Sequence, residues 1–125
     1  MKTIYPAVFH HEEDSYWVEF PDLEGCQSFG DTLEETLFNA QEALAGYCVT
    51  LLEQKRPLVP ASDIQTLTAP EGCFVSLVEA ELITKSKAVK KTLTIPSWLN
   101  EIAEERGVNF SAALQNALVK ELNLV

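Results

Sequence analysis

The chain has 125 residues, 46% of them apolar, and a formal net charge of −10. That length suits one domain or two small ones. It contains no run of about 18 apolar residues, which excludes a membrane-spanning helix, and the acidic balance excludes nucleic-acid binding over the whole surface. The start, MKTIYPAVFHHEED, lacks the apolar stretch of a signal peptide. Cys26, Cys48 and Cys73 are odd in number and have no C-x-x-C spacing, so they are expected to be reduced, packed thiols of a cytoplasmic protein. Metal binding through these cysteines with His10 and His11 is the alternative; no cofactor is expected.

In chain order, Lys2–Phe9 alternates as a strand holding Ile4, Ala7, Val8 and Phe9, and Pro6 suggests an edge or a bulge. His10–Ser15 is a polar turn. Tyr16–Phe20 alternates again, with Tyr16, Val18 and Phe20 on one face. Pro21–Gly25 is a turn and Cys26–Phe29 a short third strand. After Gly30, Asp31 or Thr32 caps a long helix with Glu34 and Glu35 in its first turn. Its apolar stripe is Leu33, Leu37, Ala40, Leu44, Cys48 and Leu51, and Lys55 and Arg56 follow at the negative end of its dipole. Pro57–Pro70 reads as an irregular connection, Cys73–Leu82 as a fourth strand, and Thr84–Val89 as a polar link. The order is β-β-β-α-β. Residues 1–84 hold three basic against fifteen acidic residues, a net of −12, whereas 85–125 hold six against four, a net of +2.

The last stretch has its own pattern. Lys90, Thr92 and Thr94 alternate with Lys91, Leu93 and Ile95, so one strand face is polar and the other apolar. Pro96 suits a helix start. A helix over about 97–106 carries Trp98, Leu99, Ile102 and Ala103, and Gly107 stops it. Asn109 caps a second helix with Ala113, Leu114, Ala117, Leu118 and Leu122 at helical spacing. One strand and two short helices cannot bury a core alone. A second copy is therefore expected to pair strand with strand, making a dimer the minimum, and a ribbon of this kind fits a DNA major groove. Open sheet edges in the N-terminal part allow a tetramer.

This segment, Lys90–Leu122, resembles a ribbon-helix-helix domain of the Arc and MetJ type. The resemblance implies that Lys90, Thr92 and Thr94 reach base edges. It also implies that backbone N–H groups at Asn109, Phe110 and Ser111 grip a phosphate, as a helix N-terminus can. The first part resembles a truncated RNase H-like fold. More closely, YWVEFPDLEGCQSFGDTLEETLFNAQEAL is similar to the N-terminal domain of HicB antitoxins. The residues that carry this are Phe20-Pro21-Asp22-Leu23, Gly25-Cys26, Gly30 through Glu35, Asn39-Ala40 and Glu42-Ala43-Leu44. The expected architecture is thus α+β, a β-β-β-α-β partial RNase H-like domain (1–84) followed by a ribbon-helix-helix (β-α-α) dimerisation domain (85–125).

The resemblance implies a protein that binds and neutralises a small, basic, mRNA-cleaving HicA toxin and represses its own operon by binding operator DNA. Asp22, Glu24, Glu34 and Glu35 are the expected toxin-binding residues, sharing one acidic surface. Asp31, Glu34 and Glu35 also have an ordinary reading as cap and dipole residues. An RNase H-type nuclease needs carboxylates converging on two metal ions. Asp14, Glu19, Asp22 and Asp31 fall on turns, a strand and a cap, so no enzyme is expected. The alternative function is a stand-alone ribbon-helix-helix regulator with an acidic sensor domain.

Overall fold

The computed structural model describes residues 1–83 and 87–122, in two units, Met1–Thr84 and Lys85–Val125. The N-terminal unit runs β1 (Lys2–Glu12), β2 (Ser15–Glu19), β3 (Gln27–Gly30), α1 (Leu33–Glu53) and β4 (Phe74–Glu81). The C-terminal unit contains α2 (Ser97–Glu105) and α3 (Phe110–Glu121). The link expected over Thr84–Val89 lies partly outside the described residues.

All strand pairs are antiparallel, in the order β3-β2-β1-β4. β1 is longer than the alternation suggested. His10 and His11 belong to it and not to a polar turn, because they pair with Trp17 and Tyr16 and stack on those rings at 3.7 and 4.3 Å. Such cross-strand aromatic pairs stabilise a hairpin, and the turn contracts around Glu13, whose φ is 28°. Pro6 sits in a central strand, yet it breaks no ladder. Pairing with β2 starts only at Val8, so the donor that proline lacks has no partner on that side.

Parity places Thr3, Tyr5, Ala7 and Phe9 of β1, Val18 of β2, and Val78 and Ala80 of β4 on the face that α1 covers, and all are buried. Ile4 and Leu77, on the opposite face, stay about half exposed. From α1 the buried stripe is Thr36, Ala40, Leu44, Cys48 and Leu51. Leu33 and Leu37, expected in that stripe, are each 41% exposed, and Thr36 takes their place. The reason is Gly30. A Cβ there would lie 2.7 Å from both the backbone N and Oγ1 of Thr36, so the helix start rests directly on strand backbone and admits only a small side chain. Thr36 Oγ1 is satisfied by donating to the Thr32 carbonyl at 2.7 Å. Each fully buried leucine, valine or phenylalanine in this core contributes about 1.5–3 kcal/mol.

Two amides of α1 protect the sheet edges. Asn39 Nδ2 donates to the Phe29 carbonyl on β3 at 2.8 Å, and Gln41 Nε2 to the Glu79 carbonyl on β4 at 3.0 Å. Residues two apart on a helix lie roughly 200° apart around it, so one helix reaches both edges. The connection over 57–70 is tied down as well. The buried Tyr5 hydroxyl donates to the Val59 carbonyl, and its pKa is pushed up to about 12 by burial first, then by nearby Cys48 and Asp22. Leu58 is in the core, and Asp63 caps a short 3-10 turn over Ile64–Thr66.

α1 ends with Lys55 in the left-handed region (φ 58°), its N–H bonded to Leu52 O and the Arg56 N–H to Leu51 O. Lys55 and Arg56 thus close the helix with their backbone, beyond its last turn. α2 ends the same way. Gly107 (φ 64°) donates to Glu104 O and Val108 to Ala103 O.

The C-terminal unit differs in one respect: neither of its helices has a buried residue. Leu93, Trp98, Leu118 and Leu122 are each at least half exposed. The strand expected over Lys90–Ile95 is not formed within the chain. A strand needs a hydrogen-bonding neighbour, and a single copy supplies none to these residues.

Candidate functional site

The turn after β2 is built on a buried anchor. Leu23 fills the core, its N–H bonds Phe20 O at 3.0 Å, and the Cys26 N–H returns to Leu23 O at 3.0 Å. This displays Asp22 and Glu24 beside the chain reversal. Asp22 is already engaged, because its carboxylate accepts from the Ser62 N–H at 2.8 Å and from the Ser62 hydroxyl. It therefore pins the 57–70 connection to the turn, a structural task the sequence pattern did not disclose.

At the helix start Thr32, not Asp31, is the cap. Its Oγ1 accepts from the Glu35 N–H at 3.1 Å, and Glu35 Oε2 accepts from the Asp31 N–H at 3.4 Å. This is close to a reciprocal capping box, so Glu35 also has a local role. Glu24 and Glu34 have no hydrogen-bond or ion-pair partner among the described residues.

The four carboxylates do not form one cluster. Asp22 and Glu24 precede β3 and Glu34 and Glu35 follow it, so a four-residue strand separates the pairs, roughly 13 Å at strand spacing. Two aromatic residues of these elements are exposed, Phe29 on the sheet face away from α1 and Phe38 on α1 itself. Phe29 on β3 is 74% exposed and Phe38 on α1 is 72% exposed. The Asn39 side chain donates to the Phe29 backbone carbonyl here. Phe38 also follows Glu34 by one helical turn, so an aromatic ring and a free carboxylate share a helix face. The usable signal was the period itself: Phe38 falls off the 36-40-44-48 stripe and has to face water. An exposed aromatic beside an unpaired acid suits a partner-binding surface.

In the C-terminal unit, Lys90, Thr92 and Thr94 are exposed, as are Leu93 and Ile95. At the start of α3, Asn109 Oδ1 accepts from the Ala112 N–H at 3.0 Å. The Phe110 and Ser111 N–H groups make no hydrogen bond among the described residues and point out of the helix start, where the dipole is positive. Asn109, Phe110 and Ser111 thus provide a cap and two free donors at the start of α3. No group of three or more histidine, cysteine or carboxylate side chains could hold a metal ion among the described residues. Nor is any described helix long and apolar enough to cross a membrane.

An acidic, well-packed sheet-and-helix unit followed by a mildly basic unit whose two helices have no buried residue defines a two-part protein of the binding class. Known proteins sharpen this. Residues 5–117 match the family model described as the HicB-like antitoxin of bacterial toxin-antitoxin systems, and the chain belongs to that family. It is 28% identical to Antitoxin HicB 2 of Photorhabdus laumondii, over 97% of this chain and 94% of that protein. Its structure is similar to that of the Burkholderia pseudomallei antitoxin HicB, with a TM-score of 0.74 and 27% identity over 97% of this chain and 99% of that one. It is also similar to a chain of a toxin-antitoxin complex from Streptococcus pneumoniae, with a TM-score of 0.61 and 29% identity over 97% and 99% of the two chains. The mixed α+β architecture, a four-stranded antiparallel sheet with three helices, is shared with these antitoxin structures.

Proposed function

We propose that this chain neutralises a cognate, basic HicA-type toxin through its N-terminal unit and represses its own operon through its C-terminal unit. The observation that carries the proposal is the double asymmetry between the units: one is acidic and packed, the other basic and without buried helix residues. A surface with net −12 attracts a basic RNA-cleaving protein and speeds their encounter. Asp22 and Glu24 at one end of β3, with Glu34 and Glu35 at the other, supply the charge, and the exposed Phe38 one helical turn after Glu34 supplies apolar surface beside it. In this reading the N-terminal unit is a partial RNase H-like fold used for binding, not for chemistry.

The C-terminal unit is read as a ribbon-helix-helix domain. Lys90–Ile95 pairs with the same segment of a second copy, Leu93 and Ile95 turn inward, and Lys90, Thr92 and Thr94 face the operator bases. Phosphate binds at the Asn109, Phe110 and Ser111 backbone. The homodimer is the working unit, and association through the N-terminal unit would make a tetramer.

The experiment is co-purification of the full chain with the product of its neighbouring gene, followed by RNA-degradation assays on that partner alone and in complex. A tight complex that silences an RNA-cleaving partner is expected. A partner that leaves RNA intact when alone refutes the antitoxin reading. For the second activity, Lys90→Ala with Thr92→Ala should weaken operator binding and leave toxin inhibition unchanged; loss of both would show that the units do not act separately.

A further inference from the structure

Strand register lines up three side chains across one end of the sheet. His10 pairs with Trp17 of β2, and the Phe9–Phe74 pairing puts Cys73, one residue before β4, opposite His10 on the other side. The imidazole stacks on the indole with centroids 3.7 Å apart and planes 5° from parallel. Its Nδ1 lies 3.2 Å from Cys73 Sγ, and its Nε2 lies 3.8 Å from Glu19 Oε1. Nε2 is buried and makes no hydrogen bond among the described residues. A thiol donating to Nδ1 leaves the ring proton on Nε2, directed toward that carboxylate. The order is thiol, imidazole, carboxylate, the arrangement that lets an imidazole take a proton from a nucleophile while a carboxylate steadies the resulting charge. The stacked indole face adds to that steadying.

The other two cysteines have none of this. Cys26 and Cys48 are buried, and burial pushes the Cys26 thiol up to about 11 and the Cys48 thiol upward as well. Cys73 is only partly buried, so a small reagent can reach it.

We propose that Cys73 is a modification site, a thiol activated by His10 that hydroperoxides convert to a sulfenic acid. His10 Nδ1 takes the thiol proton, and the sulfur attacks one peroxide oxygen. The O–O bond breaks, an S–OH bond forms, and the departing hydroxide takes the proton back from His10 to leave as water. The sulfur is oxidised by two electrons and the peroxide reduced by two, so thiol and hydrogen peroxide give sulfenic acid and water. Glu19 is a positioning residue in this step. The proposal concerns the sheet end and does not depend on either binding role assigned above.

The test exposes the full, pre-reduced chain to hydrogen peroxide in the presence of dimedone and quantifies each cysteine peptide by mass spectrometry. The decisive comparison is Cys73 in the native chain against Cys73 in the same chain unfolded in guanidinium chloride. Burial alone makes the native thiol slower, whereas assistance by His10 makes it faster, by about tenfold or more. His10→Gln should remove the acceleration, and Glu19→Gln should reduce it by less. A native rate no higher than the unfolded rate overturns the proposal, as does an acceleration that survives His10→Gln. Should His10→Gln fail to fold, the native-against-unfolded comparison on the unaltered chain decides alone.

Discussion

The N-terminal unit buries Tyr5, Phe9, Leu23, Leu44 and Val78 between one helix and one sheet, while neither helix of the C-terminal unit has a buried residue. Local chemistry does not separate them. Both have side-chain-capped helices, at Thr32 and Asn109, and both end a helix with the same pair of backbone hydrogen bonds after a left-handed residue. Short helices draw most of their stability from packing an apolar face. The helix of the first unit is packed within one chain, and the helices of the second are not. The charge follows the same boundary, which makes the two halves suited to opposite partners.

The largest effect is expected from the filled core. Leu44→Ala, at a fully buried position, should cost about 2–5 kcal/mol. The chain has two tryptophans, Trp17 in one unit and Trp98 in the other, so a Trp98→Phe background lets urea unfolding report on the N-terminal unit alone. A loss under about 1 kcal/mol would mean that the core is not what holds this unit. The next effect probes the unfilled half. Trp98 is 62% exposed in one chain, and its emission should shift to the blue as concentration rises and copies associate. Leu93→Glu should raise the concentration for that shift by more than about tenfold, or about 1.4 kcal/mol. An unchanged dimer in ultracentrifugation would remove this segment from the interface.

How much of this was legible in the sequence divides along the same line. Order and type of the N-terminal elements followed from alternation at Tyr16–Phe20, the Pro21–Gly25 turn and the helical period from Ala40 to Leu51, because periodicity reports which face is buried. Cross-strand partners do not announce themselves in a single stretch. Hence the extension of β1 through His10 and His11, fixed by Trp17 and Tyr16, was read as a turn. The choice of Thr36 over Leu33 and Leu37 depends on Gly30 approaching from another element, and the bond from Ser62 to Asp22 is not legible because Ser62 is far along the chain. At the surface, the carboxylates Asp22, Glu24, Glu34 and Glu35 are legible in the sequence, but β3 between the two pairs and the exposure of Phe38 beside Glu34 are not. In the C-terminal unit Pro96, Gly107 and Asn109 mark the helix ends, whereas the strand expected over Lys90–Ile95 is not formed within the chain.

Gly30→Ala tests the contact that set the Thr36 register. The added methyl would meet the Thr36 backbone N and Oγ1 at 2.7 Å, and backbone cannot swing aside. A loss of about 1–3 kcal/mol in the Trp17 unit is expected, with no change at Trp98. Thr36→Ala in the same background should return part of it by removing Oγ1, one of the two atoms met at 2.7 Å; no recovery would place the strain in the helix backbone.

The smallest effect compares the two helix ends. α2 uses glycine at the left-handed position, Gly107 at φ 64°, and α1 uses Lys55 at φ 58° with the same hydrogen bonds. A side chain there costs about 1–2 kcal/mol. Glycine takes part of that back, about 0.5–1 kcal/mol, through the greater freedom of the unfolded chain. Lys55→Gly should therefore stabilise the N-terminal unit by roughly 0.5–1 kcal/mol, and Lys55→Asn by less, since asparagine tolerates this conformation better than lysine. Both should raise the urea midpoint read at Trp17 without altering the concentration dependence read at Trp98. A lower midpoint for Lys55→Gly would show that the lysine side chain supports the helix end by more than its backbone costs. The same closing turn would then be held by a side chain in one unit and by backbone freedom in the other.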